Sequence, residues 1–202
     1  MSTDTDRPNF PLLWLDVEST GLNPQDIVLE MAVVLTTPFP DPEVVWSGQW
    51  ITAWASRDVL ARIAADPYVQ KMHEDSGLLA ELRSMLPSEV PAMDEIAVTI
   101  TRQIDLQFGQ SSKVQLAGSG VSHYDHGIVK RSMPVLARRL DYATLDVGQL
   151  RRWFRAAGWP RNMVSDGGDK PHRAMADVRR ALSEAKRLTE SLINLNLQSA
   201  TA

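Results

Sequence analysis

The chain has 202 residues, 44% hydrophobic and 23% charged, with a formal net charge of −4 and no cysteine. That length supports one sizeable core and is short for two. Without cysteine there are no disulfides, thiolate zinc sites, iron–sulfur clusters or cysteine nucleophiles, and no apolar run approaches the ~20 residues of a membrane span.

The N-terminal residues Met1 to Pro8 lack the basic and apolar regions of a signal peptide, so a cytoplasmic location is expected. Charge is unevenly spread. Residues 1–126 carry 7 Lys+Arg and 18 Asp+Glu (net −11), whereas 127–202 carry 14 and 7 (net +7). Such a chain either binds a cation with its first part and a polyanion with its last, or simply ends in Arg-rich solvated helices.

Residues 1–10 are polar and Pro-containing and read as a flexible tail. Residues 11–17 form an expected first strand. Ser19 to Gln25 is a turn by its Gly21 and Asn23-Pro24. Ile27 to Thr36 is β-branched and aliphatic, a second strand with an unusual Glu30 inside it. Three prolines between Thr37 and Pro42 break the ladder before a third strand over 43–52.

The pattern then turns helical. Val59, Leu60, Ile63 and Ala64 share one helix face over 57–65, and Asp66-Pro67 ends it. Tyr68 to His73 is a short segment. Ser76 is placed to cap a helix through Leu78, Leu79 and Leu82. Pro91 opens another, with Met93, Ile96, Ala97, Ile100 and Ile104 on its apolar side. A fourth strand over 114–118 ends in Gly118-Ser119-Gly120, and a helix begins near Tyr124 and closes at Pro134. A fifth, short strand covers 144–147, a helix 150–157 and a loop 158–171. The longest helix spans 174–195, with Val178, Ala181, Leu182, Ala185 and Leu188 in register. The reading is a single domain over 11–195 with a tail over 196–202. Its fold class is α/β, a mixed five-stranded sheet of three antiparallel strands and then parallel additions, flanked by helices.

Asp16 and Glu18 end the first apolar run. On a strand, residues i and i+2 point to one face, ~6.5–7 Å apart. Two carboxylates so close either need a cation or belong to a solvated turn. Asp125 follows the fourth strand, and Asp177 lies at the start of the last helix with His172 five residues earlier. Four acids from three segments offer hard oxygen ligands suited to Mg²⁺ or Mn²⁺. Two such ions can hold the attacking and leaving oxygens of a phosphodiester in line. His172 is placed to take the proton of an attacking water.

The run LLWLDVESTGL, the strand IVLEMAVV, Asp125 after a Gly-rich turn, and His172-Arg173-Ala174-Met175-Ala176-Asp177 together resemble the DEDDh-type 3′–5′ exonucleases of the ribonuclease H-like (DnaQ-like) superfamily. Within it the chain looks most like the oligoribonucleases, supported by His73 to Leu78, Met133 to Leu136, and Leu145-Asp146-Val147 followed by Leu150. The resemblance runs in order from about residue 11 to residue 192. It implies a ribonuclease H-like exonuclease fold and a two-metal 3′–5′ exonuclease acting as a homodimer on short single-stranded RNA. Asp16, Glu18, Asp125 and Asp177 would hold two Mg²⁺ or Mn²⁺ ions, with His172 as general base.

Substrate-binding roles also follow from the resemblance. Leu22 matches a leucine that wedges against a terminal base, and Tyr68 an aromatic residue that stacks on one. His73 and Tyr142 match further substrate-binding positions. Read as residues alone, the alternative for Tyr68 is a half-buried surface aromatic, and for His73 a solvated or capping histidine. Glu30 matches a glutamate with a structural hydrogen-bonding role, and Asp146 an aspartate that anchors nearby backbone.

Two stretches depart from the family. Oligoribonucleases carry a His-Tyr-Arg run that caps the 5′ phosphate of a short substrate across the dimer. Here that run is Asp141-Tyr142-Ala143. The family's Gly-Asn-Ser before the second-motif aspartate is replaced within Gly118-Ser119-Gly120-Val121-Ser122. The expected chemistry is therefore retained, while single-stranded DNA or longer RNA ends stand as alternative substrates. A catalytically idle nucleic-acid-binding protein is the third reading.

Overall fold

The strand β1 (Leu12–Ser19) is buried on both faces, which is why its opening LLWL runs apolar without alternation. In the computed structural model, which describes residues 10–161 and 172–200 (the side chains of 195–200 aside), β1 is the central strand of a five-stranded sheet. It pairs antiparallel with β2 (Val28–Thr36), which pairs antiparallel with β3 (Val44–Ile51). On its other side it pairs parallel with β4 (Val114–Gly118), and β4 pairs parallel with β5 (Leu140–Asp146). The order β3-β2-β1-β4-β5 is the mixed sheet expected from the sequence.

Period-2 alternation sends neighbouring residues of β1 into two different cores. Leu13 and Leu15 join Met31, Val33 and Leu35 against α4 (Met93–Phe108), whose Ile96, Ala97, Ile100 and Ile104 are fully buried. The same layer holds α5 (Asp125–Ser132) and α6 (Pro134–Ala137). Leu12 and Trp14 face the other way, onto α7 (Val147–Ala156) and α8 (Ala174–Ala200). Trp14 adds a buried hydrogen bond from Nε1 to Thr36 Oγ1 at 3.1 Å. Truncating a core residue such as Ile100 to Ala would cost roughly 2–5 kcal/mol.

A third cluster joins Leu29 of β2 to two short helices, α1 (Arg57–Ala65) and α3 (Leu78–Ser84), and a further helix, α2 (Pro67–Asp75), packs on both. Ser56 caps α1 by accepting from Val59 N, and Asp66 caps α2 by accepting from Tyr68 N and Val69 N. Pro67 sits in the first turn of α2, where its missing N–H costs nothing.

Several boundaries differ from the sequence reading. The segment after Pro67 is a full helix, and Ser76 ends it instead of capping α3, whose N-cap is Gly77. Pro134 opens a further helical turn rather than closing one. β5 begins at Leu140, four residues early, because an edge strand with half-exposed residues has no apolar alternation to reveal it. α7 begins at Val147, since the Asp146 carboxylate accepts from Gln149 N as its cap. α8 continues to Ala200, into the stretch expected to be a tail. Residues 1–9 of the expected tail and most of the 158–171 loop lie outside the described residues.

Candidate active site

Asp16 and Glu18 follow Leu12 and Trp14 on the even-numbered face of β1, the face covered by α8. This alternation aims both carboxylates at the first turn of α8, where Asp177 lies. Glu18 is 6% exposed and Asp177 7%. One ligand atom from each of Glu18, His172 and Asp177 lies within 4.8 Å of the others. Asp125, also buried, heads α5 just beyond the β4 turn. All five residues, Asp16 included, border one cleft of about 860 Å³.

Two buried carboxylates beside an imidazole are a donor set for a divalent cation, because burial penalises their negative charge unless a positive one joins them. The residues therefore fit a metal ion, which Glu18 and Asp177 would hold with Asp16 and Asp125 on the same cleft.

The antiparallel register sets Glu18 directly opposite Glu30. Facing carboxylates repel, and the fold resolves this by giving Glu30 its own cation. Arg173 Nη2 lies 2.8 Å from Glu30 Oε1, and its Nε is 3.1 Å from both oxygens. Gln49 Nε2 donates to Oε1 at 2.6 Å and Ala174 N to Oε2 at 3.0 Å. Burial pushes this carboxyl up, but the bonds from Arg173, Ala174 and Gln49 outweigh it and hold it below its ordinary value. Arg173 also binds Glu81 at 2.7 Å. The residue before Arg173 is His172, whose φ of 49° is a left-handed backbone that costs a non-glycine residue about 1–2 kcal/mol. The clamp beside it holds that conformation.

The turn after β1 is equally well tied. Asp26 accepts from Asn23 N at 2.7 Å, and a Cβ on Gly21 would lie 2.5 Å from Asp26 Oδ2, so a larger residue there would push this carboxylate aside. The Tyr124 hydroxyl lies 2.8 Å from Gly21 O and 3.1 Å from Ser19 Oγ. Leu22, 81% exposed, projects from this turn at the rim of the cleft, and Tyr68 of α2, 68% exposed, borders it as well.

Two expected substrate contacts are placed elsewhere. His73 is fully buried and does not border the cleft, and its Nε2 lies 2.9 Å from Ser19 O. Burial lowers its proton affinity, so the ring is a neutral Nε2–H donor that fixes the end of β1. This corrects the expectation of a substrate-binding His73: α2 packs that face of the helix inward against the sheet. Tyr142 lies on β5, 85% exposed and away from the cleft-lining residues.

Asp146 anchors backbone as expected. Its oxygens accept from Gly120 N at 3.0 Å, Ser122 N at 3.3 Å, Ser122 Oγ at 2.7 Å and Gln149 N at 3.0 Å. Burial raises this carboxyl, and the four hydrogen bonds together bring it below its ordinary value. Sequence reasoning missed Tyr124, Arg62 and His123, all three at the cleft, because their roles depend on contacts across the fold.

No protein-family model matches the chain. Among curated proteins, the oligoribonuclease of Rhodococcus jostii (strain RHA1) is 31% identical over 182 residues, covering 87% of this chain and 84% of that one. The oligoribonuclease of Tropheryma whipplei (strain Twist) is 33% identical over 177 residues, covering 86% and 88%. Among solved structures, exonuclease I from Methylocaldum szegediense superposes with a TM-score of 0.58 at 20% identity. The zinc-bound E. coli ExoI–ssDNA complex superposes with a TM-score of 0.56 at 17% identity. The chain spans only 40% and 43% of those two longer chains, and at such identities the likeness concerns the fold.

Proposed function

Because the chain belongs to the oligoribonuclease family and is a 3′–5′ exonuclease, we propose that it hydrolyses short single-stranded oligoribonucleotides to 5′-mononucleotides with two Mg²⁺ or Mn²⁺ ions. The convergence of Glu18, His172 and Asp177 within 4.8 Å, on a cleft shared with Asp16 and Asp125, carries this reading.

Asp16, Glu18, Asp125 and Asp177 would hold the ions, which when bound would supply a water of lowered pKa and offset negative charge on the phosphodiester. His172 receives the proton of that water on a ring nitrogen, a task imidazole performs near neutral pH. Leu22 wedges against a terminal base and Tyr68 stacks on one, a contact indifferent to base identity. The active form is a cytoplasmic homodimer, and Tyr142, exposed on β5, reaches substrate from a partner copy.

A second reading, single-stranded DNA or longer RNA ends, is favoured by Asp141 and Ala143 standing where the family's cap has cations. Asp141 would repel a terminal phosphate.

Incubation with Mn²⁺ and labelled RNA dinucleotides, long RNA and long DNA tests both. Rapid shortening of dinucleotides supports the first reading, and preference for long strands or DNA the second. If nothing is shortened, and Asp177→Ala behaves like the parent, the enzyme reading fails. His172→Ala should cut turnover by ~10²–10⁴-fold with little change in KM.

A further inference from the structure

The cleft has two unlike lips. Leu22 and Tyr68 form an apolar lip on the β2 side of β1, since Leu22 lies in the β1–β2 turn and α2, which carries Tyr68, packs on α1 and α3, the helices that cover Leu29 of β2. His123 and Arg152 border the cleft on the other side, carried by the β4–α5 turn and by α7, which follows β5. The floor between them is acidic.

The second lip is built as one unit. The Asp146 carboxylate binds both Gly120 N of the turn and Gln149 N of α7. Gly148 packs so closely on the turn that a Cβ there would lie 3.0 Å from Ser119 Oγ and 3.3 Å from Gly120 N. Arg152 is four residues on, so it shares this helix face and stands over the turn. Gln149 Nε2 lies 2.9 Å from Ser122 Oγ and 3.2 Å from His123 Nε2. An amide N–H only donates, so His123 Nε2 accepts and Nδ1 carries the proton as a second donor at this lip.

Arg152 is also uncommitted. Its neighbour Arg151 is paired with Glu184 at 2.8 Å, and Arg62, the other arginine on the cleft, is bound to Asp58 at 3.1 Å. Arg152 makes no ion pair or hydrogen bond among the described residues, although the cleft it borders is lined with carboxylates. A guanidinium fork in that position matches a phosphate diester.

We propose that Arg152, with the His123 ring N–H, binds the backbone phosphate on the 5′ side of the scissile bond, so that the cleft selects strands longer than two nucleotides. The proposal rests on the nuclease reading of the same cleft. With the 3′-terminal nucleotide on the Tyr68 lip and its phosphodiester over the acids, the strand continues 5′-ward across the Arg152 lip. This would replace the cationic cap that the 141–143 stretch lacks with an open track.

The test compares kcat/KM for a dinucleotide NpN, which holds only the scissile phosphate, with the trinucleotide NpNpN. The parent, Arg152→Gln, Arg152→Lys and Arg155→Gln are measured; Arg155 is an exposed arginine on the same helix that does not border the cleft. The parent should prefer the trinucleotide. In Arg152→Gln the trinucleotide-to-dinucleotide ratio should fall by about tenfold through KM, in the range of one charge-assisted hydrogen bond. The slope of log KM against log salt should drop by about 0.7. Arg152→Lys should recover part of the ratio and Arg155→Gln should keep it. An unchanged ratio in Arg152→Gln, or an equal fall in Arg155→Gln, overturns the proposal while leaving the nuclease reading intact. A parent that cleaves neither substrate overturns both.

Discussion

Arg173 clamps Glu30 across 143 residues of sequence, with Nη2 2.8 Å from Oε1 of a carboxylate that is wholly buried. The pair joins β2 to the start of α8, and so fixes where His172 and Asp177 meet Glu18. Arg173→Gln leaves the Glu30 charge buried with only Gln49 and Ala174 as donors. Since Arg173 is itself 27% exposed, a cost of about 2–3 kcal/mol is expected, at the low end for a broken buried pair. Urea unfolding would show it as a lower midpoint.

The same pair makes a prediction in acid. The folded-state pKa of Glu30 is below its ordinary value of 4.5, so the unfolded chain binds its proton more readily. Its contribution is complete above that value and is lost as pH falls below it through the folded pKa. Glu30→Gln, though less stable at neutral pH, should show a shallower loss of stability below about pH 4.5. An unaltered slope would exclude this role.

His73 titrates in a higher window. Burial, the largest influence, lowers its pKa from 6.5 despite the bond to Ser19 O. The folded chain therefore binds this proton less readily than the unfolded one, and stability declines as pH drops below 6.5. His73→Gln keeps a donor toward Ser19 O and removes the titration. Its melting temperature should vary less than the parent's between about pH 6.5 and 5.

The acidic cluster predicts metal-linked stability that is read without any substrate. Saturating Mn²⁺ should raise the parent's stability, by about 2.7 kcal/mol at a hundredfold excess over Kd. Asp177→Asn and Glu18→Gln should remove most of that gain. Equal stabilisation of parent and variants would place the ion elsewhere.

Tyr68 is exposed, so its truncation tests binding and not folding. Tyr68→Ala should raise KM by roughly fivefold to a hundredfold, the ~1–3 kcal/mol of one stacked base, while Tyr68→Phe keeps the ring and the affinity. An unchanged KM in Tyr68→Ala would show that no base rests there.

Local rules made much of the architecture legible. The apolar run of β1, the β-branched β2 and the i, i+3, i+4 stripe of α8 each announce an element within a few residues. Period 2 alone places Asp16 and Glu18 on one face, and the order of the acidic segments carries the family resemblance. Edge strand β5 was illegible for the converse reason, because its signal lies in pairing with β4, whereas the boundaries of α3 and α7 turn on local caps, Gly77 with no side chain and Asp146 bonded to Gln149 N.

By itself, the sequence determined which groups are available for chemistry and along which face of a strand or helix each one points, because backbone periodicity is local. Only the tertiary structure decided which of them meet. The β1–β2 register opposes Glu18 to Glu30, and the Arg173 clamp then turns Glu30 away from the site and brings His172 and Asp177 to it. Packing of α2 likewise turned His73 from an expected substrate contact into a strut under β1. Those outcomes depend on burial and on the pairing of charges removed from water, and both are set by residues far apart in the chain.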